Sequence, residues 1–153
     1  MQTYARQGGT SAIFVNDDGL QIIGAAEREQ RLAFYADHGI GWVARPAHSN
    51  EPGGFKRAGR FKKASNMNYG LRLSLKLERH LMTLEAAGLH DEVGGQCLED
   101  KAMSMAMEEI FEETGRKWRP WASNGRSIRI GEIILIVDSD TVVPEVFLVF
   151  FPR

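Results

Sequence analysis

Residues 11–46 read SAIFVNDDGLQIIGAAEREQRLAFYADHGIGWVARP, and this stretch decides the fold class. Ser11 to Val15 is a short apolar run that ends at Asn16-Asp17-Asp18-Gly19, a turn signal, so it reads as a buried strand with acids at its C-terminal end. From Gln21 to Asp37 helix formers dominate (Ala25, Ala26, Glu27, Arg28, Glu29, Gln30), and His38-Gly39 stops them. Ile40 to Ala44 is a second strand, closed by Arg45-Pro46. Strand, helix and strand in that order predict a parallel pair and the α/β class.

Outward from this unit, a loop rich in Gly, Pro and basic residues runs from Ala47 to Lys63. The next segment gives two opposed signals. Tyr69, Leu71, Leu73, Leu75 and Leu77 alternate with polar or small residues as in a strand. Yet Leu, Arg, Lys and Glu are strong helix formers, no β-branched residue occurs before Thr83, Ser65 or Asn66 can cap a start, and Gly88 stands near the stop. A helix is therefore predicted. A further helix over about Gln96 to Thr114 places Leu98, Ala102, Met103, Ala106, Met107, Ile110 and Phe111 at helical spacing, with an acidic outer face. Ile133 to Val137, four of its five residues β-branched, reads as the best strand in the chain and ends at Asp138-Ser139-Asp140. Three strand-like runs between helices predict a mainly parallel sheet, whose ligands sit beyond the carboxyl ends of the strands.

Composition bounds the function. The chain has 153 residues, 43% hydrophobic and 25% charged, which is globular and excludes disorder or collagen-like structure. Its net charge of -1 conceals two blocks: eight Lys or Arg against Glu78 from Gly53 to His80, then nine acids against Lys101 from Glu85 to Glu113. The whole chain is thus no electrostatic glue for nucleic acid. Phe55 and Phe61 among the cations of the loop raise single-stranded nucleic acid as a ligand, but the basic residues are confined beside acidic strand ends, and no nucleic-acid partner is expected. The single Cys97 excludes an internal disulfide and a several-thiolate zinc site, which points to a reducing compartment. No signal peptide opens the chain, and Val142 to Phe151 is too short and too polar to span a bilayer.

Asp138 and Asp140 are the sharpest chemical feature. An extended Asp-x-Asp at a strand end can aim two carboxylates at one Mg²⁺ or Mn²⁺ whose shell substrate phosphates complete; a solvated turn is the even alternative. The same residues also fit the nucleophile motif of haloacid-dehalogenase-type phosphatases, but Glu145 is the sole acid after Asp140. Asp17 and Asp18 can accept hydrogen bonds from a nucleobase or ribose, or simply form a turn. Lys56 to Lys63 can bind a diphosphate. His38, His48, His80 and His90 show no metal-ligand spacing, Cys97 reads as a structural thiol, and Met103, Met105 and Met107 read as packing.

Val15-Asn16-Asp17-Asp18-Gly19, Arg45-Pro46, Lys63-Ala64-Ser65-Asn66-Met67-Asn68 and Ile136-Val137-Asp138-Ser139-Asp140 occur in the order seen in family 2 glycosyltransferases. From Ile13 to Glu145 the chain resembles the cellulose-synthase and chitin-synthase-like branch of that family. The resemblance implies a partial GT-A fold, a nucleotide-diphospho-sugar transferase sandwich, incomplete at both ends. It implies that Asp17 or Asp18 contacts base and ribose, that Lys63, Asn66 and Asp138 line the UDP-sugar site, and that Asp138 and Asp140 hold Mn²⁺ or Mg²⁺. It also implies a carbohydrate acceptor and a catalytic base supplied beyond residue 153, so that this chain alone is inactive. Full-length relatives act at the cytoplasmic side of a membrane, whereas this chain is expected to be soluble. The organisation expected is a tail at 1–10, the nucleotide-sugar-binding domain at 11–145 with an insertion at 81–131 carrying the acidic helix, and an atypical tail at 146–153. The alternatives are a non-catalytic nucleotide-binding or interaction module and a phosphatase-like enzyme using Asp138.

Overall fold

The computed structural model describes residues 10–57, 62–90, 92–131, 133–137 and 142, with the backbone alone at 62, 92 and 93. Strand β1 (Phe14–Asn16) leads through a 3-10 turn (Asp18–Gln21) into helix α1 (Ala25–Asp37), and strand β2 (Gly41–Ala44) follows. Helix α2 (Lys62–Ala86), a two-residue hairpin of β3 (Glu92–Val93) and β4 (Gln96–Cys97), helix α3 (Leu98–Glu113), strand β5 (Trp121–Ser123) and a 3-10 turn (Gly125–Ile128) complete the order. The α/β class holds.

The sheet is smaller and less parallel than the sequence predicts. Its order is β1-β2-β5, with β1 parallel to β2 and β5 antiparallel. The parallel pair is the one that strand, helix and strand imposed, in the register Phe14 to Gly41 and Asn16 to Val43. The second edge of β2 is taken by Trp121–Ser123, where Trp121 packs edge-on against Trp42 at 5.1 Å. Ile133 to Val137, the expected best strand, is in no sheet among the described residues and leaves its side chains 44% to 61% exposed. Hydrophobicity and β-branching give that run strand propensity, but propensity without a pairing partner and a covered face does not make a sheet strand.

Strand β2 is buried at all four positions and divides two cores by the two-residue period of a strand. Trp42 and Ala44 pack with Leu20, Tyr35 and Ile40 on the α1 side, whereas Val43 packs with Leu73, Leu77, Leu81, Ala102, Ala106 and Ile110 beneath α2 and α3. The Leu-rich segment is a helix because its buried residues recur every four positions: Leu73, Leu77 and Leu81 point inward, while Leu75 and Met82 are 63% and 67% exposed. Burying each such leucine stabilises the fold by roughly 1.5–3 kcal/mol. The segment expected as an insertion supplies Leu98, Ala102, Met103, Ala106, Ile110 and Ile128 to this core.

The two charge blocks face each other. Basic α2 meets acidic α3 through Lys76 to Glu109 at 2.6 Å and to Glu113 at 2.7 Å, with Arg72 on Glu113, Arg79 on Glu109 at 2.6 Å and His80 Nε2 2.9 Å from Glu109. Lys76 is thus largely enclosed between the two helices, its ammonium paired with both carboxylates. Hydrogen bonds from Lys76 and Arg79 hold the Glu109 carboxyl down at about 2.

Two predictions follow from these contacts. Gly70 faces β1, and a Cβ there would run into Asn16 Oδ1 and the Phe14 ring. Ala normally gains about 1 kcal/mol over Gly inside a helix. Gly70→Ala is instead expected to lose about 1–3 kcal/mol in urea denaturation, because the added methyl overpacks the contact; a net gain would mean that helix and strand are not in this contact. The second prediction concerns acid. A carboxyl held below its unfolded value of 4.5 contributes stability that is complete above that pH and is lost as pH falls from 4.5 toward 2. Thermal denaturation of Glu109→Gln should therefore show a shallower acid loss than wild type across that window, and parallel curves would remove Glu109 from the account.

Candidate functional site

The ends of β1 and β2 and the start of α2 converge. Asp17 accepts from the Gly19 N–H at 2.9 Å, which caps the 3-10 turn, and from Tyr35 Oη at 2.8 Å and Arg31 Nη1 at 3.1 Å on α1. Burial and the Asp17 hydrogen bond push the Tyr35 phenol up to about 12, so it stays a donor. Asp18 takes Arg45, which caps the end of β2: its backbone N–H donates at 3.1 Å, and Nε and Nη2 donate at 3.0 and 2.5 Å. Arg57 Nε stands 3.6 Å from the same carboxylate, an ion pair beyond hydrogen-bond range. Arg45 itself is only 3% exposed and also donates from Nη1 to Ser65 Oγ of α2 at 3.1 Å. Asn66 Nδ2 donates to the Asn16 carbonyl at 3.2 Å.

These bonds link Asp18 through Arg45 to Ser65, and Asn66 to the end of β1, with Asp17 in the adjoining turn and Lys63 exposed in the first turn of α2. They also show both carboxylates engaged by protein donors. Two amide oxygens, Asn16 Oδ1 and Asn66 Oδ1, are buried without a hydrogen-bond partner. Asp138, Asp140 and Glu145 lie outside the described residues, as do the tails 1–9 and 146–153. Among the described residues no group of three or more His, Cys, Asp or Glu is placed to hold a metal ion.

Beside Arg45 opens a pocket of about 210 Å³. Its floor and one wall come from Arg45 and from Ser65, Tyr69 and Arg72 of α2; the opposite wall is Ile110, Thr114 and Trp118, and the loop supplies Phe55 and Lys56. The described part of the loop, residues 47–57, is held by its own bonds. His48 Nδ1 accepts from the Arg57 N–H at 3.1 Å, the Ser49 N–H reaches the Phe55 carbonyl at 3.0 Å, and Phe55 inserts edge-on between Trp118 at 5.7 Å and Tyr69 at 6.5 Å. Burial pushes the Tyr69 phenol up to about 12. No motif marks Tyr69, Arg72 or Trp118 as pocket residues; the one sequence signal is the dense cation and aromatic run Arg116-Lys117-Trp118-Arg119-Pro120-Trp121. Cys97 donates to Asp100 Oδ2 at 3.1 Å and burial raises its pKa, as befits a structural thiol.

Comparison with protein-family models, curated proteins and solved structures finds no match to this chain. Among the described residues no helix is long and apolar enough to cross a membrane.

The Arg45 pair yields a stability prediction. Removing one partner of a buried ion pair leaves an uncompensated charge and costs roughly 3–5 kcal/mol. Asp18→Ala should show a loss of that order in chemical denaturation, and a loss under about 1 kcal/mol would show that Arg45 does not depend on Asp18.

Proposed function

We propose that the chain is the donor-binding region of a glycosyltransferase resembling family 2, taking a UDP-sugar where β1, β2 and the start of α2 meet. One observation carries the reading. Motif segments far apart in sequence touch: Arg45 bonds both Asp18 and Ser65, and Asn66 bonds the Asn16 carbonyl. Side chains with no shared purpose in the fold would not need to meet at the carboxyl ends of parallel strands, where α/β sheets bind ligands.

In this reading Lys63 supplies charge to the diphosphate at the first turn of a long helix, where the backbone also favours anions. Asp18 acts by holding the Arg45 guanidinium at the pocket, and Asp17 fixes the turn that carries Asp18. Asp138 and Asp140 would hold the Mn²⁺ or Mg²⁺, whose charge offsets that developing on the departing nucleoside diphosphate. The engagement of both Asp17 carboxylate oxygens and both Asp18 oxygens favours a second reading, a nucleotide-binding module without transfer chemistry.

Calorimetry with UDP separates these from no binding at all. Lys63→Ala should weaken UDP roughly ten-fold to a hundred-fold, the loss of one charge-assisted contact of about 1.5–3 kcal/mol. Lys76→Ala should leave UDP affinity alone and lower stability instead. UDP affinity that is indifferent to metal chelation and survives Asp138→Ala with Asp140→Ala would overturn the metal-dependent donor site.

A further inference from the structure

The pocket beside Arg45 combines two features that the donor motifs do not use. Its lining holds three cations, Arg45, Lys56 and Arg72, and no acid, together with three rings from three elements: Phe55 from the loop, Tyr69 from α2 and Trp118 from the turn after α3. The acids behind the lining do not cancel these cations. Asp18 is shared by Arg45 and Arg57, and Glu109 and Glu113 between them serve Arg72, Lys76 and Arg79, so each group leaves one cation in excess. Lys56 has no acid partner among the described residues.

One polar group in the pocket has nothing to bond. The Tyr69 hydroxyl finds no hydrogen-bond partner among the described residues, although burial keeps the phenol protonated by pushing it up to about 12. A phenol taken this far from water ordinarily has a partner. The neighbouring hydroxyls are engaged: Ser65 Oγ accepts from Arg45, and Thr114 Oγ1 donates to the Phe111 carbonyl and accepts from the Trp118 N–H.

Size and charge together define a ligand. An apolar cavity of about 150 Å³ takes one benzene ring, so the roughly 210 Å³ here holds a single ring with a short substituent. Excess cations and an unbonded phenol proton require that substituent to be an anion. A phosphate is best held by the free backbone N–H groups of a helix's first turn. Tyr69 and Arg72 lie beyond that turn of α2, where the N–H groups are bonded within the helix. The donors that remain, a guanidinium fork, an ammonium and a phenol, suit a carboxylate.

We propose that this pocket binds a small aromatic carboxylate, its ring against Phe55 and Trp118 and its carboxylate among Tyr69 Oη, Arg72 and Lys56. The ligand is a molecule separate from the nucleotide, and the proposal does not rest on the donor reading.

The test is calorimetry of the full 153-residue chain with phenylacetate, phenylacetamide, acetate and phenyl phosphate, in wild type, Tyr69→Phe, Lys56→Ala and Trp118→Ala. Phenylacetate should bind wild type about ten-fold tighter than phenylacetamide, which keeps the ring and lacks the charge, and acetate should give no binding. Tyr69→Phe keeps its ring and loses only the hydroxyl, and should weaken phenylacetate about ten-fold. Lys56→Ala, at the exposed rim, should cost roughly two- to five-fold and flatten the salt dependence. Trp118→Ala should weaken phenylacetate and phenylacetamide by the same factor, roughly ten-fold, because it removes a ring contact and no charge. Phenylacetamide bound as tightly as phenylacetate, or Tyr69→Phe equal to wild type, overturns the carboxylate site. Phenyl phosphate bound more than about ten-fold tighter than phenylacetate would assign the pocket to a phosphate ester instead. Should Trp118→Ala fail to fold by circular dichroism, an amide NMR titration of wild type with phenylacetate decides. Shifts centred on Phe55, Tyr69 and Trp118 support the pocket, and shifts elsewhere or none overturn it. UDP affinity is not a readout here, so the donor reading stands or falls separately.

Discussion

Arg45 is the one charged residue buried among those described, and the fold around the candidate site is arranged to keep it so. A guanidinium taken from water costs several kcal/mol unless its charge and its hydrogens are satisfied. Asp18 answers the charge with a two-pronged contact, and Ser65 takes a further hydrogen. That demand fixes three elements at once: the 3-10 turn must place Asp18 at the end of β2, Asp17 must cap the turn, and α2 must bring Ser65 alongside. Leu20, wholly buried in the same turn, joins it to the α1 core.

The second constraint is the pairing of α2 with α3. Leu73, Leu77 and Leu81 meet Ala102, Ala106 and Ile110 in the interior, and the rim is sealed by Lys76, Arg79 and His80 on Glu109. Small alanines on α3 let the helices approach, and the opposed charges set their register. Because Ile110, Thr114 and Trp118 extend this helix pair into the pocket wall, the packing that stabilises the chain also shapes the site.

Local signals carried the sequence reading where structure is local. The turn at Asn16 to Gly19, the stop at His38-Gly39 and the β1, α1, β2 order were all legible, because each depends on residues within a few positions. The stripe Leu73, Leu77, Leu81 was legible only by weighing helix formers against strict alternation. Trp121–Ser123 was not, since three residues carry no periodicity and their place beside β2 comes from Trp42, far away in sequence. Ile133 to Val137 is the converse case: its composition is that of a strand, but composition supplies neither a pairing partner nor a face to cover it. At the site, Asp18 and Asn66 could be picked out by motif. Their partners could not, because no spacing announces that Arg45 will be buried against Asp18 or that Phe55 will lodge between Tyr69 and Trp118.

The candidate site joins two parts. The strand ends and the start of α2 hold the motif residues on which the proposed donor reading rests, and the aromatic pocket is built partly from α3 and the turn beyond it. The most direct measurement of whether they act together on a nucleotide is an amide NMR titration of the chain with UDP and Mg²⁺. The account requires shifts concentrated at Asp17, Asp18, Arg45, Phe55, Lys63 to Tyr69 and Trp118, with the α2 to α3 contact at Leu77 and Ala106 unmoved. Shifts scattered over the charged helix faces, or none at saturating UDP, would contradict it.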